Sequence, residues 1–213
     1  MIIVNFKNYV YGERALERAK LVERYLPRAV LAVSAFDLRE IASKTNLKVY
    51  AQHLDFQESE RATGFLIPSI AKKLGARGTL LNHSEHRIPF EQIRKTLKVL
   101  RACKLRAVVC AASVREAMRL AKLKPYAIAY EEPALIASGK SITSVKSSEV
   151  ARFAAKLAQA DPSIERVCGA GINSADDVRA AKQLGCNGVL IASALAKVPS
   201  KKAEKLLREL AKV

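Results

Sequence analysis

A closed α/β barrel of the (β/α)₈ type is the fold that this sequence predicts, and three observations carry the prediction. Short apolar, β-branched runs alternate along the chain with longer segments whose apolar residues recur at helical spacing. The short runs number eight, the count a barrel of parallel strands requires, and they read as near-continuous apolar stretches, as in a sheet covered by helices. A length of 213 residues suits such a barrel, and no low-complexity stretch, Pro/Ser-rich linker or composition break marks a boundary, so residues 1–213 are expected to form one domain. The strand pattern alone also admits an open, doubly wound sheet.

The elements follow in order. Ile2–Phe6 is the first strand run, and Ala15–Tyr25 the first helical segment, rich in the good helix formers Ala, Leu, Lys and Arg. Val30–Ser34 and Val49–His53 supply strands two and three, after which Pro68 stands where a short helix can start, because a first turn tolerates a residue without an N–H. Thr79–His83 leads to a helix over Phe90–Cys103 with Pro89 at its entry, and Ala107–Ala111 leads to Val114–Leu123. Ala127–Glu131 is the sixth run and Ser148–Gln159 the helix after it. Val167–Ala170 precedes Ala175–Leu184, where Ser174 offers a capping hydroxyl and Asp176 and Asp177 put carboxylates in the first turn. Gly188–Ser193 completes the strands, and Pro199 opens the last helix, Lys201–Leu210.

Composition sets limits on function. With 50% hydrophobic and 27% charged residues, the chain has apolar material for a sizeable core and charge for a solvated surface. No run of roughly 18 apolar residues occurs, and the start MIIVNFKNY has no basic segment leading into an apolar stretch and a cleavage site, so a cytoplasmic protein without a membrane partner is expected. Cys103, Cys110, Cys168 and Cys186 never form Cys-x-x-C, and most sit in apolar runs, as reduced core thiols do. The formal charge of +17 raises the question of a nucleic-acid partner. Lys and Arg are instead spread over nearly every helical segment, as at Arg14, Arg18 and Lys20 or Lys201, Lys202 and Lys205, without aromatic interleaving; solvated helix faces and no nucleic-acid partner are expected.

In a βα barrel the strand C-termini converge on the face that holds the active site. The polar residues there are Asn5 and Lys7, Gln52 and His53, Asn82 through Arg87, and Glu131, while strands seven and eight end in Gly169-Ala170-Gly171 and Ala192-Ser193. Small residues let backbone amides approach phosphate oxygens, and the loops after strands seven and eight are where such barrels bind phosphate. Gly-Ala-Gly alone reads equally well as a tight turn; Ala-Ser at the next strand end tips the balance to a small phosphorylated substrate.

The motifs Asn5-Phe6-Lys7, Ala51-Gln52-His53, Ala62-Thr63-Gly64, Asn82-His83-Ser84-Glu85, Ala129-Tyr130-Glu131, Ile136-Ala137-Ser138-Gly139 and Cys168-Gly169-Ala170-Gly171, closed by Gly188-Val189-Leu190-Ile191-Ala192-Ser193, resemble in order and spacing the triosephosphate isomerase family, in its short archaeal form. The resemblance implies a TIM barrel that interconverts dihydroxyacetone phosphate and D-glyceraldehyde 3-phosphate in glycolysis and gluconeogenesis, working as a homodimer or homotetramer. It implies that Glu131 takes the proton from the substrate carbon while His83 polarises the carbonyl, a pairing that belongs to the family and is carried over with it. It also implies that Asn5 and Lys7 hold the substrate, that Glu85 supports the histidine and lysine, and that Ile136, Gly171, Ala192 and Ser193 contact the phosphate.

Elementary chemistry agrees with those roles. Proton abstraction beside a carbonyl needs a base and an electrophile to stabilise the enediolate oxygen. Neither needs a metal or an organic cofactor, and the three histidines and four cysteines lack zinc-like spacing, so none is expected. Lys7 lies two residues after Asn5, on the same face if the strand continues, whereas His53 and His86 are expected to be structural or surface residues.

Two positions depart from the family pattern. Glu131 is followed by Glu132 and only then by Pro133, where the family has proline directly after the base, and the loop reads Ile-Ala-Ser-Gly where Ile-Gly-Thr-Gly is common. Adjacent strand residues face opposite ways, which favours Glu131 over Glu132 as base, and a chain without proline at 132 is expected to close its loop differently. Two other functions compete: a different phosphate-binding barrel enzyme, such as a sugar-phosphate aldolase, and a basic barrel that has lost catalysis and binds nucleic acid or acts as a scaffold. The first would need another base or a Schiff-base lysine at a strand end, and Lys7 is the lysine found there.

Overall fold

In the computed structural model, which describes residues 1–59, 61–131 and 141–213, the strands β1 (Ile2–Asn5), β2 (Val30–Val33), β3 (Lys48–Ala51), β4 (Gly78–Leu81), β5 (Arg106–Ala111), β6 (Ala127–Tyr130), β7 (Glu165–Cys168) and β8 (Gly188–Ile191) run parallel in sequence order. β8 pairs with β1 through Ile3↔Leu190, so the sheet closes and the open doubly wound alternative is excluded. The helices are α1 (Glu13–Tyr25), α2 (Ala35–Lys44), α3 (Pro68–Lys73), α4 (Phe90–Ala102), α5 (Val114–Ala121), α6 (Ile142–Val145), α7 (Ser147–Ala160), α8 (Ala175–Gln183), α9 (Ser193–Ala196) and α10 (Ser200–Leu210).

Strand alternation sorts the apolar residues into two layers. One set points inward and fills the barrel, with Ile3, Tyr50, Leu80, Val108, Ala129, Val167 and Leu190 in mutual contact. The other set, including Val4, Leu31, Val49, Leu81, Val109, Ile128 and Ile191, packs against the helices. Tyr50 is the bulkiest inward side chain, and it explains Gly78: a Cβ there would meet the Tyr50 ring at 2.6 Å and the Arg106 carbonyl at 2.4 Å. Burial pushes the Tyr50 phenol up to about 12.

Local signals place the helices. Pro68 occupies the first turn of α3 as expected, whereas Pro89 and Pro199 sit one step earlier, as extended residues just before α4 and α10. Ser174 and Asp177 form a reciprocal capping box at the start of α8. Ser34, read from the sequence as the end of strand two, instead caps α2, its Oγ accepting from the Phe36 N–H at 3.3 Å.

Several strands end one or two residues earlier than their apolar runs suggest. Lys7 (φ 46°), Asn82 (φ 58°) and Ala170 (φ 70°) adopt left-handed backbone, which takes the chain out of the ladder at the C-terminal mouth. Lys7 and His83 therefore sit just beyond the strands, as do Gln52, Glu131 and Ser193 where the ladder simply ends. Among the described residues no helix is long and apolar enough to cross a membrane.

Candidate active site

Asn5 and Glu131 follow the inward residues Ile3 and Ala129 at the two-residue spacing of a strand, so both side chains point into the mouth from the barrel wall. Asn5 is buried, and its Oδ1 accepts from the Lys7 N–H at 2.9 Å. Gln52 donates from Nε2 to the Lys7 carbonyl at 2.7 Å. These two bonds hold Lys7 in its left-handed conformation. Lys7 does not share a strand face with Asn5 as expected from the sequence, since β1 ends at Asn5 and a side-chain-to-backbone bond joins the pair instead. The Lys7 Nζ then lies 2.6 Å from Glu85 Oε1.

A second pinned turn delivers His83. Asn82 is buried at the end of β4, where its amide donates to the Cys110 carbonyl at 2.9 Å and its Oδ1 accepts from the Ile88 N–H at 3.2 Å. His83 is 7% exposed, and its Nδ1 accepts from the Glu85 N–H at 3.2 Å. A ring nitrogen that accepts is unprotonated, so the proton of the neutral imidazole sits on Nε2, facing the mouth. Glu85 Oε2 also lies 3.7 Å from Nδ1, but the amide contact is shorter and sets the tautomer.

Glu131 is 4% exposed, and its Oε2 has no hydrogen-bond partner among the described residues. That oxygen stands 3.7 Å from His83 Nε2, too far for a hydrogen bond. A buried carboxylate oxygen without a partner is costly and in native proteins asks for an explanation. Two neighbours shape its pocket. Burial and the Glu131 carboxylate push the Cys110 thiol well up, so it stays protonated beside the acid. A Cβ on Gly169 would meet Glu131 Oε1 at 2.8 Å and Cγ at 2.9 Å. The sequence marks Gly169 only as part of a phosphate turn; its second task, clearance for the carboxylate, shows only when β6 and β7 are paired.

Across the mouth, Ala170 and Gly171 take consecutive left-handed conformations, and the Ala170 carbonyl accepts from the Ile142 N–H at 3.1 Å. The Asp177 carboxylate, despite burial that opposes ionisation, is held below its ordinary range by hydrogen bonds from Ser141, Asn173 and Ser174, and so fixes the chain that follows this turn. Ala192 follows β8 as the residue before α9, and Ser193 begins α9.

Lys7, Glu131, Gly171, Ala192 and Ser193 line one small cavity, and Asn5, Lys7, Gln52, His83 and Glu85 line the wider one beside it, with Lys7 common to both. Ile136 lies outside the described residues, as do Glu132 and the rest of its loop. His53 donates from Nε2 to Asp55 Oδ1 at 3.2 Å, packs at a tilt against His86 with ring centroids 4.4 Å apart, and is pushed down by burial. Asp55 in turn binds the Leu66 N–H at 2.7 Å, so this pair ties the loop after β3 together. Another cleft, of about 570 Å³, opens at the opposite end of the barrel beside Met1, Tyr25 and Val213, but among the described residues no histidine or carboxylic side chain lines it.

The family model for triosephosphate isomerase matches residues 1–210. The chain is 36% identical over 218 aligned positions to the triosephosphate isomerase of Methanothermus fervidus, covering 99% of this chain and 98% of that one. It is 33% identical to the enzyme of the same name from Methanocaldococcus jannaschii, over 100% and 99% of the two chains. The crystal structure of triosephosphate isomerase from Bartonella henselae superposes with a TM-score of 0.76 at 18% identity, over 97% of this chain and 98% of that one, which speaks to the barrel alone. With end-to-end agreement at the level of both family model and individual relatives, the chain belongs to the triosephosphate isomerase family.

Proposed function

We propose that this chain interconverts dihydroxyacetone phosphate and D-glyceraldehyde 3-phosphate by moving one proton between adjacent carbons through an enediolate. The observation that carries the reading is the facing pair of Glu131 Oε2 and His83 Nε2, 3.7 Å apart, the former buried without a partner among the described residues. The Glu131 carboxylate takes the proton from the carbon beside the carbonyl and returns it to the neighbouring carbon, while the hydroxyl proton passes from the one oxygen to the other by way of His83. His83 donates Nε2–H to the oxygen on which charge develops, and the Lys7 ammonium stabilises that charge. Asn5 orients Lys7, and Gly171, Ala192 and Ser193, with Ile136 from the loop, take the phosphate. A coupled assay with glyceraldehyde 3-phosphate tests the reading, and an intact protein with no turnover would overturn it.

The same reading has the chain working as one domain, in the cytoplasm, as a homodimer or homotetramer, with no nucleic-acid or membrane partner. Phe36 (97% exposed), Phe65 and Ile70 are large apolar side chains left open to solvent, as suits an interface between copies. Light scattering should report at least twice the monomer mass.

Two further results are expected. The +17 charge should favour encounter with a dianionic substrate, so kcat/KM should fall as salt rises, and phosphate or sulfate should compete at millimolar concentration. Absence of that competition would remove support from the Gly171, Ala192 and Ser193 site. In Gly169→Ala the added methyl must displace the Glu131 carboxylate, and kcat should fall about 10- to 100-fold, with the fold intact, because proton transfer depends steeply on placement. A wild-type kcat in this variant would show that the base can relax without cost.

A further inference from the structure

Arg18 is a buried guanidinium for which the chemistry above has no use. It sits on the inward face of α1 with Ala15, Ala19 and Val22, is 6% exposed, and makes no ion pair with a carboxylate among the described residues. Burying an arginine without an opposite charge is unfavourable unless its donors are well placed. Those donors reach across the chain: Nη1 donates to the Leu195 carbonyl, and Nη2 to the Val198 carbonyl at 2.8 Å. The two carbonyls bracket the C-terminal end of α9, the four-residue turn that begins directly after Ala192.

A single turn cannot hold its own geometry, since the few internal bonds it makes do not offset the ordering of its backbone. In α9 these bonds are Leu195 and Ala196 N–H to the Ala192 carbonyl, at 3.1 and 2.8 Å, and Lys197 N–H to the Ser193 carbonyl at 3.0 Å. Each links the end that Arg18 grips to Ala192 or Ser193. α1, by contrast, is 13 residues long and anchored on the core by its alanine face, so it offers a rigid base. A planar fork of donors can hold two carbonyls at once, which a lysine ammonium on a flexible stem does less well. A cation at the C-terminal end of a turn is also favourable for the backbone dipole.

We propose that Arg18 is a positioning residue for the phosphate grip, fixing α9 from behind so that Ala192 and Ser193 present their backbone to the phosphate group. It acts on the part of the substrate that does not react. The inference rests on the function proposed above, and its signature is selective loss of phosphate recognition while the proton-transfer apparatus of Glu131, His83 and Lys7 stays as it was.

The test compares wild type, Arg18→Met and Arg18→Lys on three readouts: kcat/KM for glyceraldehyde 3-phosphate, kcat/KM for D-glyceraldehyde, which has no phosphate, and the inhibition constant of inorganic phosphate. Arg18→Met is expected to lower kcat/KM for the phosphorylated substrate, and weaken phosphate inhibition, by about tenfold, while leaving D-glyceraldehyde within about twofold, because remote binding groups act on the substrate that carries them. Arg18→Lys keeps the charge and N–H donors but not the planar fork, and should fall between. If both variants bind phosphate like wild type, or if turnover of the two substrates falls by the same factor, the positioning role is wrong. If Arg18→Met fails to fold, Arg18→Lys decides by the same ratio. Failure of wild type itself to turn over triose phosphate would strike the proposed function instead, and the phosphate inhibition or binding constant would still read the state of the grip.

Discussion

Replacing Glu131 by glutamine is expected to lower kcat by about a thousandfold, in the middle of the range that a positioned general base contributes. Glutamine keeps the shape of the side chain and removes the ability to accept the proton, so the loss should appear in turnover with little change in the fold. The melting temperature should hold or rise, because the wild-type carboxylate is buried with an oxygen that has no partner among the described residues, and a neutral amide costs less to bury. Steady-state kinetics and a thermal melt on the same preparation check both halves. The control is Glu132→Gln, which should retain most of the activity; a reversed outcome, with Glu132 essential and Glu131 dispensable, would show that the base has been misassigned.

Loss of the cation should be of similar size. In Lys7→Met, kcat/KM is expected to fall by about 10²- to 10³-fold, the usual effect of removing a preorganised group that stabilises developing negative charge. The structure adds a second penalty, since Glu85 Oε1, now 2.6 Å from Nζ, would be left as an unneutralised carboxylate beside an anionic substrate. The double variant Lys7→Met/Glu85→Gln should therefore recover part of the loss, about tenfold, as expected for residues in direct contact whose effects are not additive. A single variant within tenfold of wild type would remove Lys7 from the charge-stabilising role, and a double variant no better than the single would remove Glu85 as its electrostatic counterpart.

The barrel was legible in the sequence because its strands are buried on both faces and so read as apolar runs that helical periodicity cannot imitate at that length. α2 is absent from that reading because Ala35–Lys44 follows strand two without a break and buries only Asp37, Leu38 and Ile41, too few apolar positions for a clear stripe. Strand ends were drawn too long for a related reason. The turns at Lys7, Asn82 and Ala170 use left-handed non-glycine residues, whose conformation is imposed by partners such as Asn5 and Gln52 and not announced by their own type. His83, Glu131, Asn5, Lys7, Gly171, Ala192 and Ser193 were legible as strand-end residues, and the structure brings them to one mouth. Gly169 as clearance and Arg18 as a brace have no one-dimensional signal, for each acts on a residue that only pairing or packing brings near.

The filled interior of the barrel, with Tyr50 as its bulkiest side chain, has a bearing on isotopic labelling. Among the described residues, side chains packed inside the barrel close off Glu131 from below. A deuteron or triton taken from the substrate carbon can then be lost to the medium only through the mouth by which substrate enters. The fraction of label carried to the neighbouring carbon, against the fraction washed out, becomes a clock that compares reprotonation with the exposure of that mouth to solvent. Read in wild type and in Glu132→Pro, the same clock would report whether the residue at position 132 changes the access of water to that mouth.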